Sequence, residues 1–61
     1  MTPEEKKIIF DCLDRKKACK KAFADVQDEK MISHYDSQVQ LLLSLLDELN
    51  IYNDYFNRDR G

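Results

Sequence analysis

The sequence predicts an all-α fold: an antiparallel helical hairpin, with helices over about residues 3–28 and 33–57, paired with a second copy as a homodimeric four-helix bundle. Three observations predict it. Pro3 and Gly61 are the only proline and glycine, so the interior lacks the residues on which sheets and tight turns depend. Apolar residues recur at alternating spacings of three and four in both halves, which is the heptad seam of packed helices. The second half also carries more apolar surface than one facing helix covers.

The first helix has a clear start. Thr2 suits an N-cap, Pro3 suits the first helical position, and Glu5 completes a T-x-x-E capping box. Glu4 and Glu5 also favour the positive end of the helix dipole. Its seam reads Ile8, Cys12, Arg15, Cys19, Ala22 and Val26. The second seam reads Ile32, Tyr35, Val39, Leu42, Leu46, Leu49, Asn53 and Phe56. Extending the first seam forward reaches positions 29 and 33 rather than 32 and 35, so the phase slips by one residue. Between the seams lies the wholly polar stretch QDEK at 27–30, and Ser33 with Asp36 forms a second capping pattern. The break therefore falls near residues 29–32. One continuous helix is the alternative, because no Gly or Asn marks the end of the first segment. Arg58 and Arg60 suit the negative end of the second helix.

Beside the second seam run Met31, Leu45 and Tyr52 on one flank, with Leu41, Leu43 and Tyr55 elsewhere. The simplest closure sets two hairpins about a two-fold axis. The expected core and subunit interface is Ile8, Cys12, Cys19, Val26, Ile32, Tyr35, Val39, Leu42, Leu45, Leu46 and Leu49.

Length narrows the possibilities further. A single domain of 61 residues buries only about 60% of the surface its unfolded chain exposes, and so calls for a staple. Two cysteines and one histidine cannot supply the four ligands of a structural zinc, and no metal or other cofactor is expected. Cys12 and Cys19 lie about 10.5 Å apart along a helix, too far for a disulfide, which needs Cα atoms within about 7 Å. Oligomerisation is the staple that remains. Unbridged cysteines and no signal-peptide pattern lead to the expectation of a cytoplasmic protein. The longest apolar runs, such as Leu41, Leu42 and Leu43, are far too short to span a bilayer. A net charge of −2 gives no overall attraction to nucleic acid or anionic membrane, although eight of the ten basic residues fall within residues 1–30.

Catalysis is not expected. In a hairpin where residue n faces roughly 61 − n, Cys12 lies opposite Leu49 and His34 opposite Gln27, so no Cys–His pair forms. His34 reads as a solvated loop residue. Asp47 and Glu48 are sequence neighbours and point about 100° apart on a helix. Arg15 interrupts the apolar seam, where a charge must be paired or reach water. It falls near Leu46, so it is either a register-fixing ion pair with Asp47, with Glu48 the second candidate acid, or a partner-binding arginine.

The run RKKACKK at 15–21 divides between two sides of the first helix. Arg15, Ala18 and Cys19 belong to the inner side. Lys16, Lys17, Lys20 and Lys21 form a basic outer face, with Phe10 and Leu13 above it. Lysines attract phosphates and an exposed aromatic ring stacks on bases, so Phe10, Lys16, Lys17, Lys20 and Lys21 are the nucleic-acid candidates. At the other end, Ile9, Phe10, Tyr52, Tyr55 and Phe56 form an aromatic cluster. It either docks another protein or closes the bundle end across the dimer.

A hairpin that dimerises into a four-helix bundle, in a chain beginning with Met1 and Thr2 followed by Glu5 and Lys6, resembles the plasmid Rop family. The resemblance implies an RNA-binding regulator that uses Phe10, Lys17 and Lys21 on the outer face of the first helix. The residues themselves point first to a small non-enzymatic interaction module: an adaptor, inhibitor or chaperone-like regulator that docks a helical face. Its size suits a phage or mobile-element regulator. Its partners are then a second copy and another protein, or it is the obligate subunit of a hetero-oligomer.

Overall fold

The computed structural model describes residues 1–58; Arg60, expected at the end of the last helix, lies outside them. Three helices follow one another: α1 (Pro3–Asp25), α2 (Glu29–Glu48) and α3 (Tyr52–Asn57). The fold class is helical as expected, with α1 and α2 packed as an antiparallel hairpin. Lys20 meets Asp36 and Phe23 stacks on Tyr35 near the turn. The expected second helix over 33–57 is two helices, and the first stops at residue 25 rather than 28.

The capping box at the start of α1 forms as read. The Thr2 hydroxyl accepts the Glu5 N–H at 3.1 Å, and the Glu5 carboxylate accepts the Thr2 N–H at 3.3 Å. Both later breaks are the same device. At the end of α1 the Gln27 N–H reaches the Ala24 carbonyl at 3.1 Å and the Asp28 N–H reaches Phe23 at 3.0 Å. At the end of α2 the Asn50 N–H reaches Asp47 at 3.1 Å and the Ile51 N–H reaches Leu46 at 2.9 Å. These are paired Schellman bonds, which require a left-handed residue just past the helix. Gln27 at φ 58° and Asn50 at φ 61° supply it. Asn tolerates that region well. Gln27 has no such advantage and is held there by the two bonds around it.

Asp28 then does two jobs. Its N–H closes α1, and its carboxylate accepts the Met31 N–H at 3.2 Å to open α2. That shared residue keeps the connection to residues 26–28 and places the break earlier than the Ser33 cap anticipated. Ser33 lies inside α2 and Asp36 turns to Lys20 instead.

The core centres on Leu13 and Leu46, both 0% exposed, joined by Phe10, Val39, Ile51 and Tyr55. Ile9, Leu42 and Leu43 pack against it. The seam expected for α2 is followed at Val39 and Leu46, which are buried, and Ile32, Tyr35 and Leu42, which are partly buried. The seam expected for α1 is not. Ile8 is 66% and Val26 70% exposed, and Arg15 and Ala22 are exposed as well. Instead α1 turns Phe10 and Leu13 toward α2. Burying a phenylalanine and a leucine removes more apolar area from water than burying two cysteines. The cost of that choice is a pair of lysines near the seam, and both find partners.

Among the described residues no helix is long and apolar enough to cross a membrane.

Candidate functional site

The two sides of the hairpin differ. On each helix the residue after the central core leucine, Asp14 on α1 and Asp47 on α2, is rotated about 100° to one side. In an antiparallel pair of right-handed helices that is the same side of the hairpin. α3 lies there. The Tyr55 hydroxyl donates to Asp14 at 2.6 Å, and the Arg58 guanidinium donates to the other Asp14 oxygen at 2.6 Å. Lys17 donates to the Tyr55 hydroxyl at 3.3 Å, and Lys6 pairs with Asp54 at 3.0 Å. Arg58 also stands 4.4 Å from the Tyr55 ring centre, while Phe10 meets that ring edge-on at 5.2 Å.

Partial burial by itself pushes the Asp14 carboxyl up. The hydrogen bond from Tyr55, then the bond and charge of Arg58 and the charge of Lys17, outweigh it and hold the group below the ordinary aspartate value. A depressed folded-state pKa stabilises the fold fully above the unfolded value of about 3.9, and that contribution fades as pH falls through the folded value. Asp14→Asn is therefore expected to lower the urea midpoint at pH 6. The gap to the parent chain should narrow below about pH 4. A gap independent of pH between 2 and about 6 would exclude this role for the Asp14 charge.

This arrangement corrects several expectations. Phe10 and Leu13 are not on an outer face but in the core, with Phe10 8% exposed, so its ring is not free to stack on a base. Tyr55 is buried too, while Tyr52 and Phe56 are exposed and Ile9 is partly buried. The lysines are less free than a solvated face implies. Lys16 stands 5.6 Å from the Tyr35 ring centre, Lys17 caps Tyr55, and Lys20 bonds Asp36 at 2.7 Å. Lys21 is exposed. Arg15 and Asp47 are both exposed and form no ion pair with one another; the rotation of α1 carries Arg15 away from α2. His34 lies within α2, not in a loop, with its ring nitrogen 2.8 Å from the Gln38 amide.

The other side of the hairpin is open. There the residues preceding the core leucines, Cys12 and Leu45, point the same way, joined by Cys19 on α1 and by Leu41 and Leu49 on α2. Leu41 is 71%, Leu45 42% and Leu49 40% exposed. Cys12 and Cys19 carry free, partly buried thiols. Along α1 on this side lies a groove of about 390 Å³ lined by Cys12, Arg15, Lys16 and Cys19, with Tyr35 of α2 at its edge. Among the described residues no cluster of three or more His, Cys, Asp or Glu is placed to hold a metal. The extra leucines were legible in the sequence as surplus apolar surface. Their side of the hairpin was not, because it depends on the rotation of α1. Comparison with protein-family models, curated proteins and solved structures finds no match.

Proposed function

We propose that this chain is a small non-enzymatic interaction module that works by docking its open helical face, the simplest closure being a homodimeric four-helix bundle. The supporting observation is the row Leu41, Leu45 and Leu49, exposed along one side of α2 while α3 is tied to the other side of the hairpin through Tyr55 and Asp14. A lone hairpin with α3 on one side is a single layer, 16 Å across its thinnest Cα dimension. Stable domains bury such a layer against another. A contiguous apolar row on a soluble surface marks an interaction site.

Sedimentation combined with binding of an apolar fluorescent dye tests this. A dimer that excludes the dye supports the docking face, and so does a monomer that binds dye strongly or aggregates. In either case the double substitution Leu41→Asp with Leu45→Asp is expected to leave helicity intact and abolish association or dye binding. A soluble, well-ordered monomer that ignores the dye at high concentration would overturn the reading.

A further inference from the structure

Resting on that docking reading, we infer that the occupant of the open face is a second copy of this chain, set so that α1 of each copy lies antiparallel on α2 of the other. The groove floored by Cys12 and Cys19 then receives Leu41 and Leu45 of the second copy.

The face is built of two unlike halves. The α1 half is small and cationic at its middle, with Cys12, Cys19 and the groove between them and with Arg15 and Lys16 at its edge, while the exposed Ile8 and Val26 continue the same stripe toward its two ends. The α2 half is large and apolar, with Leu41, Leu45 and Leu49, and carries Glu48 at its outer edge. Two in-plane two-fold axes can stack such a face on itself. An axis across the helices puts like on like. Leucines then meet leucines, the grooved halves face each other over a void, and Arg15 comes close to Arg15 of the second copy. Voids and facing like charges both destabilise an interface. An axis along the helices puts unlike on unlike, so large side chains enter the groove and packing approaches interior density.

The register agrees with the second arrangement. The contacts Lys20–Asp36 and Phe23–Tyr35 place residue n of α1 level with about 57 − n of α2. An axis along the helices preserves those levels between copies. Leu45 of the second copy then stands level with Cys12, and Leu41 with Lys16, within the length of the groove.

The charges agree as well. Arg15 and Glu48 are exposed and neither forms an ion pair among the described residues. Both point outward from the hairpin, and this axis brings them to one rim of the α1–α2 contact. They stand about six residues apart in level, roughly 9 Å along the axis. Side chains lean toward the N-terminus of their own helix, so on antiparallel helices these two lean toward each other.

Charge reversal and cross-linking test the arrangement together. The parent chain is expected to sediment as a dimer. Arg15→Glu and Glu48→Arg should each weaken it about tenfold, and the double reversal should restore it. A short bismaleimide should leave the parent thiols uncoupled between copies, because the two α1 helices lie diagonally apart. It should couple Leu45→Cys to Cys12 of the second copy. A dimer indifferent to the charge swap, or one whose parent cysteines couple to each other, overturns this geometry. A folded monomer that binds the apolar dye overturns the second copy as occupant yet leaves the docking reading standing. A folded monomer that ignores the dye removes both.

Discussion

Leu46→Ala is expected to remove about 2–5 kcal/mol of folding stability, as full burial of a leucine in a site that cannot collapse implies. Leu46 is 0% exposed and faces Leu13, also 0% exposed, at the centre of the α1–α2 contact. Its carbonyl also accepts the Ile51 N–H that ends α2, so its surroundings are fixed from two directions. A chain of 61 residues has in total about 3–9 kcal/mol to lose. The variant should therefore lose a large share of that stability, and Leu13→Ala should match it. Urea denaturation followed by circular dichroism measures the loss. A loss below about 1 kcal/mol at Leu13, with a larger one at Cys12→Ser or Cys19→Ser, would mean that α1 packs with its cysteines inward after all.

Tyr55→Ala is expected to cost about 3–5 kcal/mol and to release α3 from the hairpin. The ring is buried against Phe10, and the hydroxyl joins α3 to Asp14 and Lys17 on α1. α3 spans only Tyr52–Asn57, too short to hold as a helix without tertiary contacts. Tyr55→Phe separates the two contributions. It keeps the ring and removes a hydrogen bond to a charged group, which contributes about 1.5–3 kcal/mol. Near-ultraviolet circular dichroism reports the loss of aromatic packing, and thermal melts report the stability. Equal effects from the two substitutions would show that ring burial contributes nothing, contrary to the contact with Phe10.

Much of the fold was legible because it rests on local chemistry. The capping box of Thr2 and Glu5 depends on residues three apart. The Ile32, Tyr35, Val39, Leu42 and Leu46 stripe is longer than the Leu41, Leu45 and Leu49 row beside it, so periodicity alone finds the inner side of α2. The two breaks were harder to read. Asp28 sits in a polar stretch that marks a break without saying which residue caps it. Asn50 is a competent left-handed residue lodged inside an apolar pattern that continues through Ile51 and Tyr55, and the pattern outvoted it.

The rotation of α1 was illegible for a different reason. Two stripes compete on that helix. Ile8, Cys12, Cys19 and Val26 are interrupted by one arginine; Phe10 and Leu13 continue into Lys17 and Lys20. Periodicity counts the lysines against the second stripe. It cannot count the Asp36 carboxylate and the Tyr55 hydroxyl that receive them, because those come from residues 16 and 38 positions away.

Local pattern suffices to make this chain helical, to start its first helix, to choose the inward side of α2, and to show that its leucines outnumber the places one partner helix offers. Each of these follows from residues within a turn or two of one another. Long-range packing alone makes Phe10 and Tyr55 core, ties α3 to α1 through Asp14, and sets the cysteines on an open face with Leu41 and Leu45. Those depend on how far α1 turns about its own axis. That angle is set by the larger apolar area of Phe10 and Leu13 and by distant groups that accept two lysines.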